Sequence, residues 1–429
     1  KKKSTECLTF SFSWHSASAI VTNSQQLQET SSMTFAPETP LKQSKPALSG
    51  STKLTYGILF IGIAIGIGKI VGGYAAPELE PNLGGKVALV TGASRGIGKG
   101  YALGLAEEGA SLFLTATTIA SAERTCKEAL EIGATSCRAF ACNNENDGEI
   151  EKLYKSIEKE LIKKEMRLDI VVNNAFNTGE TCKYAGKKFW DENKGEYAGH
   201  LFDIMTKVGL RSHYVSSVFA MRLMTKLAPT GDADRGLIVF TSSFGGLNYF
   251  VDVAYGVGKA AVDRMASDMA IETAIENITV ASLWPGWVDT EQVRWEIAQG
   301  ENGTFGKLKP GAGTTGEGTF EYLSSTVGTP IQETVLFNGR TLAAFAKDNK
   351  KGQFSGKVLP TSDLAAHYDV LDEKNWRTPG AFTTRWLVLM LFPALQEESK
   401  LPMVLKYVPD IPLCPTWLTK VFAGSPRFM

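Results

Sequence analysis

A glycine-rich turn between a buried strand and a helix is the feature that most restricts the fold of this chain. The apolar run Lys86-Val-Ala-Leu-Val90 leads directly into Thr91-Gly-Ala-Ser-Arg-Gly-Ile-Gly98, and an amphipathic helix is predicted from there to about Gly109. Three glycines in this context let the backbone turn tightly. They also present N–H groups and the positive end of the helix to a pyrophosphate. The stretch therefore predicts the first strand, turn and helix of a dinucleotide-binding sheet.

Strand and helix patterns alternate along the chain after this turn. Buried strands are predicted at Ala110–Thr115, Cys137–Cys142, Leu168–Val172, Gly236–Ser242, Ile278–Trp284 and Gly356–Pro360. Helices are predicted at about 119–132, 147–164, 200–227, 255–275 and 332–348. Such alternation implies a parallel sheet with right-handed crossovers, whose ligands bind at the carboxyl ends of the strands. The predicted fold is α/β: a doubly wound parallel sheet, the Rossmann fold, with helices on both faces.

A hydroxyl, a phenol and an ammonium come together in a second short span. Tyr255 and Lys259 lie four residues apart and share one face if this segment is helical, and Ser242 ends the fifth predicted strand just before them. A fixed ammonium beside a phenol lowers the phenol's pKa from about 10 toward neutral pH, which suits a proton donor to a carbonyl. Ser242 would donate a hydrogen bond to the same carbonyl oxygen. The pair alone also fits a half-buried tyrosine beside a solvated lysine.

The end of the second strand bears on the choice of cofactor. A carboxylate there would bind the ribose 2′-hydroxyl of NAD, but the chain continues with Ala116-Thr117-Thr118. The missing acid, together with Arg95 inside the glycine turn, favours a 2′-phosphate and therefore NADP(H) over NAD(H). The alternative is that Arg95 is simply solvated.

The composition excludes several other classes of function. The 429 residues carry 45 lysines and arginines against 45 aspartates and glutamates, so no net charge attracts nucleic acid. The six cysteines contain no C-x-x-C pair and are predicted to be reduced thiols, not a disulfide framework or a zinc site. The four histidines are too dispersed for a metal cluster, and no metal is predicted.

The predicted catalytic domain, 77–365, is flanked by segments of different character. Residues 1–53 are predicted to be a disordered or targeting N-terminus, and 366–429 a C-terminal extension. Residues 54–76, uncharged except for Lys69, are long enough for a transmembrane anchor; a signal-peptide core and a buried helix are the alternatives. The apolar run Trp386–Leu395 is predicted to dock on a membrane surface or to form a dimer contact, so a homo-oligomer stays open.

The charges around the candidate anchor predict its orientation. Lysines precede it and glutamates follow it, which indicates a cytoplasmic N-terminus and a lumenal catalytic domain. The favoured location is the endoplasmic reticulum membrane, with plastid and mitochondrion as the alternatives. Asn277-Ile-Thr and Asn302-Gly-Thr fit the pattern of glycan acceptors.

Together these motifs resemble those of the short-chain dehydrogenase/reductase family. They are TGASRGIG at 91–98, NNA at 173–175, Ser242 with Tyr255 and Lys259, and Pro285-Gly286. The similarity spans about 86–365. The segments VGLRSHY, AYGVGKAA, SLWPG and SGKVLPTSDLA resemble one member of the family more narrowly.

The resemblance implies an activity and a set of site residues. The activity is an NADP(H)-dependent interconversion of a carbonyl and an alcohol, with Ser242 orienting the carbonyl, Tyr255 as acid/base, and Lys259 lowering the pKa of Tyr255. The implied cofactor-binding residues are Thr91, Gly92, Ser94, Arg95, Gly96, Ile97, Gly98, Asn143, Asn173, Ala175, Tyr255, Lys259, Pro285, Gly286, Val288 and Thr290. A lipophilic substrate is indicated by the aromatic residues Phe244, Tyr249, Phe250, Trp284 and Trp287.

Two positions depart from the family pattern. Asn143 stands where the family has an aspartate at the end of the third strand. Gly209 stands where many members have an asparagine that relays protons to bulk water, so water or Ser212 would have to substitute. The loss of the relay keeps open a catalytically idle NADP-binding scaffold. A plastid ketoacyl-carrier reductase is a third hypothesis, which would need neither the anchor nor the extension.

Overall fold

Seven parallel strands form one sheet in the order β3-β2-β1-β4-β5-β6-β7. The structure, a computed structural model, describes residues 79–177, 189–190, 198–228, 232, 234–247, 251–299 and 332–375. The strands are β1 (Val87–Val90), β2 (Ser111–Ala116), β3 (Ser136–Ala141), β4 (Ile170–Asn173), β5 (Gly236–Thr241), β6 (Ile278–Trp284) and β7 (Val358–Pro360). The strand order reverses between β1 and β4, and this switch point is where such sheets bind ligands. The predicted doubly wound parallel sheet is confirmed.

Helices cover both faces of the sheet. They are α1 (Gly96–Glu107), α2 (Ile119–Ile132), α3 (Asp147–Lys164), α4 (His200–Thr206), α5 (Ser212–Leu227), α6 (Val253–Thr273), α7 (Glu291–Ala298), α8 (Val335–Lys347) and α9 (Thr361–His367). One apolar core lies under α1, α2, α8 and α9, and a second lies under α3, α5 and α6. Every residue of β1, β4, β5 and β6 is buried, as expected for strands covered on both sides.

Helices α1 and α8 touch backbone to backbone because glycines face each other at their crossing. A Cβ on Gly100 would lie 1.9 Å from the carbonyl oxygen of Val335, and a Cβ on Gly339 would lie 1.9 Å from that of Gly100. Any side chain at these two positions would push the helices apart. The crossing therefore fixes α1, whose first turn carries the glycine-rich motif.

The single helix predicted at 200–227 is two helices with a break. Residues Lys207–Arg211 form a π-helical turn between α4 and α5, and Val208 and Gly209 lie outside helical φ/ψ. Gly209 has a φ of +112°, a backbone conformation that costs little without a Cβ. The apolar pattern continues across the break, which is why periodicity alone predicted one helix.

The prediction that all the cysteines are reduced thiols is wrong for one pair. Cys126 of α2 and Cys137 of β3 form a disulfide, with their Cα atoms 5.3 Å apart. The fold brings them together because α2 runs back along the sheet and the chain then enters β3. Their separation of 11 residues matches no motif that would have indicated the bond. Cys142 is a free, buried thiol, and burial raises its pKa to about 11.

Several predictions concern residues outside the described ranges. These are the candidate anchor at 54–76, the glycine-rich segment at 300–318, the aromatic residues Tyr249 and Phe250, and the extension beyond residue 375. Across the ranges that are described, no helix combines the length and apolar character needed to cross a bilayer.

Candidate active site

Thr91 ties the carboxyl ends of β1 and β4 together at the switch point. Its hydroxyl donates to the carbonyl of Val172 (3.2 Å) and accepts from the backbone N–H groups of Asn174 (2.9 Å) and Ala175 (3.2 Å). The side-chain amide of Asn174 donates to the carbonyls of Thr91 (3.0 Å) and Gly92 (3.2 Å). Asn174 therefore holds the glycine turn in shape, a role that the sequence analysis missed.

The glycines of the turn leave no room for side chains. A Cβ on Gly92, which has a φ of +66°, would lie 2.8 Å from the Cα of Ala175, and a Cβ on Gly98 would lie 2.3 Å from the carbonyl oxygen of Gly92. At Gly96 the backbone N–H already donates to a carboxylate oxygen of Glu291 (2.9 Å). A negative group thus sits at the start of α1, and the donors there suit the phosphates of a dinucleotide.

Asn173 offers a second indication that the cleft accepts a polar ligand. It is fully buried, its amide group donates to the hydroxyl of Ser217 (3.1 Å), and its Oδ1 has no hydrogen-bond partner within the described part of the chain. A buried carbonyl oxygen without a donor is costly, and a ligand hydroxyl would satisfy it. The predicted position of Asn173 beside the cofactor ribose fits this observation.

The other residues predicted to contact the cofactor lie in or near the same turn. Ser94 and Ile97 are partly buried, and Arg95 is exposed with no ion pair among the residues that the structure describes. Asn143 is exposed, and its Oδ1 accepts from the backbone N–H of Glu145 (3.1 Å). The side chain of Asn143 therefore stabilises its own turn after β3.

The segment Pro285–Thr290 is held in place by Glu333. The backbone N–H of Gly286 donates to the Glu333 carboxylate (2.9 Å), and that of Asp289 donates to the Glu333 backbone carbonyl (2.8 Å). Glu333 is 2% exposed, and burial raises the pKa of its carboxyl to about 7. No sequence pattern pointed to this residue, because it lies more than forty positions beyond the segment that it holds.

Val288 and Thr290 complete that segment. Val288 is buried and pairs with Glu333 in an isolated bridge. Thr290 caps α7, since its hydroxyl accepts from the backbone N–H of Val293 (3.2 Å). The Thr290 methyl group lies 3.6 Å from the place that a Cβ on Gly96 would take, so this segment borders the glycine turn.

Tyr255 and Lys259 lie together on α6, as the spacing predicts. Lys259 is buried, its Nζ donates to the carbonyl of Thr241 at the end of β5 (3.1 Å), and it lies 5.7 Å from the centroid of the Tyr255 ring. The Ser243 hydroxyl interacts with the Tyr255 hydroxyl, and this interaction acts to lower the pKa of Tyr255. A phenol, a hydroxyl and an ammonium therefore meet at the carboxyl edge of the sheet.

Ser242 does not occupy the place that the sequence predicts for it. Its hydroxyl donates to the backbone carbonyl of Lys259 (3.2 Å) and contacts the buried carboxylate of Asp263. The backbone N–H of Ser242 still pairs with Leu283, so the chain is extended here and successive side chains point to opposite sides. Ser242 consequently points into the protein, while Ser243 reaches Tyr255.

The predicted lowering of the pKa of Tyr255 also needs correction. Burial raises the pKa of Tyr255 to about 12; the hydrogen bond with Ser243 opposes this rise, and the charges of Asp252 and Asp263 add to it. Burial likewise lowers the pKa of Lys259 to about 8, against the attraction of Asp263. Desolvation outweighs the pairing that the four-residue spacing suggested.

The fold and the glycine-rich turn at the edge of the sheet define a dinucleotide-binding oxidoreductase. Residues 86–301 match the short chain dehydrogenase family. The chain is 34% identical to dehydrogenase/reductase SDR family member 1 of Mus musculus over 342 residues, which is 79% of this chain and 97% of that protein. The Homo sapiens protein of the same name is 33% identical over 344 residues, 80% of this chain and 98% of that protein.

A solved structure agrees at the level of the fold. The RhlG/NADP active-site complex of Pseudomonas aeruginosa superposes with a TM-score of 0.51 and 21% identity, covering 66% of this chain and 97% of that one. The chain belongs to the short-chain dehydrogenase/reductase family, whose members are oxidoreductases that bind nicotinamide cofactors. The narrower resemblance of the four sequence segments is confirmed as a similarity to dehydrogenase/reductase SDR family member 1.

Proposed function

We propose that the protein is an NADP(H)-dependent oxidoreductase that interconverts a carbonyl and an alcohol on a lipophilic small molecule. The observation that carries the proposal is the position of Tyr255 beside Lys259, with Ser243 interacting with the same phenol, at the sheet edge that also bears the glycine turn. A bound nicotinamide supplies or accepts the hydride. Tyr255 exchanges the proton with the substrate oxygen, and Ser243, in place of the predicted Ser242, donates a hydrogen bond to that oxygen.

The protonation states of these residues favour carbonyl reduction near neutral pH. With a pKa of about 12, Tyr255 keeps its proton and is ready to donate it. Lys259, with a pKa of about 8, is still mostly charged at pH 7 and supports the phenolate that forms after the proton leaves. Alcohol oxidation needs the deprotonated form of Tyr255, so its rate is expected to increase at alkaline pH.

Two further features support the choice of cofactor and substrate. Arg95 is exposed at the glycine turn, and the end of β2 carries Thr117 and Thr118 in place of an acid, which favours a 2′-phosphate. Phe244 follows Ser243 directly, is 43% exposed, and packs edge-on against Trp284 with ring centroids 6.3 Å apart. An exposed aromatic ring next to the reacting hydroxyls favours a lipophilic substrate.

Membrane association through 54–76, with the catalytic domain in the lumen of the endoplasmic reticulum, belongs to the same proposal. The Cys126–Cys137 disulfide supports it, because such bonds persist in oxidising compartments. Self-association is supported by the exposed apolar side chains of Tyr214 on α5 and of Val253 and Val257 on α6.

Substitutions at the three hydroxyl groups test the catalytic proposal. The full chain is assayed for NADPH and NADH oxidation with a panel of aromatic and long-chain aldehydes and ketones. Tyr255→Phe is expected to lose at least about a hundredfold in kcat, the usual contribution of a general acid, while its NADPH affinity, measured by fluorescence titration, stays nearly the same. An unchanged kcat would defeat the assignment of Tyr255.

The adjacent serines provide a matched pair of variants. Ser243→Ala is expected to lower kcat more than Ser242→Ala, because Ser243 interacts with the Tyr255 hydroxyl and Ser242 donates to the backbone carbonyl of Lys259. The reverse order would assign the role to Ser242. NADPH binding without turnover on any carbonyl of the panel would favour the idle scaffold.

A further inference from the structure

The ring of Phe176 lies against both functional groups of α6. Its centroid is 4.4 Å from the Nζ of Lys259, and it packs edge-on against the Tyr255 ring with centroids 5.8 Å apart. Phe176 comes shortly after the end of β4, next to the buried Ala175. Leu201 and Met205 of α4 pack in the same cluster. Phe176 thus forms one wall around the Lys259 ammonium.

Apart from the nearby Asp263 carboxylate, the Lys259 ammonium has few partners besides this ring. It is 6% exposed, and among the described residues its one hydrogen bond goes to the carbonyl of Thr241. A buried ammonium with three donors is destabilised unless other negative or polarisable groups face it. The face of an aromatic ring is such a group, and it attracts a desolvated cation.

Gly209 leaves the space that the ring fills. A Cβ on Gly209 would lie 2.5 Å from Cδ2 and 3.1 Å from Cε2 of Phe176, well inside contact distance. The π-helical turn at Lys207–Arg211 brings the backbone this close, and it is held by the Gly209 N–H donating to the hydroxyl of Ser212 (3.1 Å). An asparagine at position 209 therefore has no room, and the Ser212 hydroxyl helps to hold the turn.

We propose that Phe176 is a positioning residue, whose ring face holds the Lys259 ammonium against the cleft. Gly209 belongs to the same proposal, because its lack of a side chain leaves the space that the ring occupies. The proposal rests on the proposed function for its effect on catalysis. The part that concerns the contact between Phe176 and Gly209 rests on packing alone.

The catalytic part is tested by the pH dependence of carbonyl reduction. The titratable groups that face Lys259 are Tyr255 and Asp263 of α6 and His213 of α5, and burial lowers the pKa of His213 to about 3, so this histidine stays neutral in the assay range. Phe176→Leu keeps the apolar bulk but removes the ring, and Phe176→Tyr keeps the ring. The alkaline fall of kcat is expected about one pH unit lower in Phe176→Leu and unshifted in Phe176→Tyr.

The steric part is tested without cofactor or substrate, by thermal unfolding of four proteins in a double-mutant cycle. Gly209→Ala is expected to lower Tm clearly in the wild-type background and much less in a Phe176→Ala background, because the clashing ring is then gone. The cost of a Cβ at positive φ is present in both backgrounds and cancels. Equal losses in the two backgrounds would overturn the pairing.

The outcomes separate this inference from the proposed function. If the wild-type chain reduces none of the carbonyls, the proposed function is wrong. The double-mutant cycle then still tests the contact between Phe176 and Gly209. If the wild-type chain is active and its kcat falls at the same alkaline pH as that of Phe176→Leu, the role assigned to the ring is overturned.

Discussion

Burial shifts the pKa values of titratable side chains around this cleft in the direction of their neutral forms. Burial raises the pKa of Tyr255 and lowers that of Lys259, and it raises the pKa of the Asp263 carboxyl, which hydrogen bonds from Ser282 (2.6 Å) and Trp284 (3.0 Å) oppose. At each of these residues desolvation is the largest influence. Desolvation of this kind strengthens the electrostatic interactions of any group in the cleft that does carry charge.

Glu333 gives the clearest pH signature of this kind. Its carboxyl has a pKa of about 7 in the folded protein against an ordinary value of 4.5. Because the pKa is higher in the folded protein than in the unfolded chain, the protonated Glu333 carboxyl adds to the free energy of unfolding. This contribution is fully present below about pH 4.5 and is lost as pH rises through 7. The loss between pH 5 and pH 8 amounts to about 3 kcal/mol.

Glu333→Gln is expected to remove this dependence. Its amide cannot ionise, and its oxygen still accepts from the N–H of Gly286, so the free energy of unfolding of the variant should gain on wild type as pH rises. Denaturant unfolding at half-unit steps from pH 5 to pH 8 measures the difference. Parallel curves for the two proteins would show that Glu333 does not titrate in this range.

At the residue scale, the sequence predicted the groups that carry local spacing and missed those that depend on three-dimensional packing. Tyr255 and Lys259 follow from their separation on a helix, and the structure places them together. The sequence predicted Ser242 instead of Ser243, because the direction of each side chain depends on where β5 ends. Phe176 and Glu333 carried no signal, since their partners are distant in sequence and the contacts arise from the sheet edge and from the start of α8.

At the scale of elements, the strands and helices followed from apolar runs and glycine boundaries. Predicted α2 and α3 agree with the structure at both ends, because each has a clear amphipathic pattern between turns. The break at Lys207–Arg211 could not be predicted, since the apolar pattern continues through it and the close contact of Gly209 with the ring of Phe176 arises only in the folded protein. The disulfide between α2 and β3 likewise depends on how the crossover returns to the sheet.

The contact between α7 and the start of α1 predicts competition with the cofactor. The Glu291 carboxylate at the beginning of α7 accepts from the Gly96 N–H, the donor that a dinucleotide phosphate would use. Glu291→Gln removes the negative charge and is expected to lower the Kd for NADPH about three- to fivefold, in line with a surface charge at a helix terminus.

Fluorescence titration of NADPH at low and high salt measures this effect. Glu272→Gln on α6 is a matched control, because Glu272 is an exposed glutamate on a different helix and makes no ion pair within the described residues. The Kd of Glu272→Gln for NADPH should equal that of the wild-type protein. A weaker affinity in Glu291→Gln would mean that this carboxylate supports cofactor binding instead of competing with it.

At the scale of the whole molecule, the disulfide and the surface sequons bear on where the catalytic domain resides. Cys126 is buried, so its bond to Cys137 is protected from solvent reductants. Asn277 is exposed at the end of the turn after α6, where its side-chain amide donates to the carbonyl of Asp232 (3.1 Å). A glycan attached there would project from the surface, whereas a cytoplasmic domain would carry neither the disulfide nor the glycan.

A lumenal catalytic domain therefore predicts two modifications of the full chain expressed in eukaryotic cells. Endoglycosidase H should increase its electrophoretic mobility, and Asn277→Gln should remove one step of that shift, with Asn302→Gln as the control for the second sequon. Alkylation of denatured protein should label Cys126 and Cys137 only after reduction, while the thiol of Cys142 reacts without reductant. A chain without glycan whose Cys126 is alkylated directly would place the domain in the cytoplasm. The catalytic proposal would stand in that case, because no step assigned to Tyr255, Ser243 or Lys259 depends on the compartment.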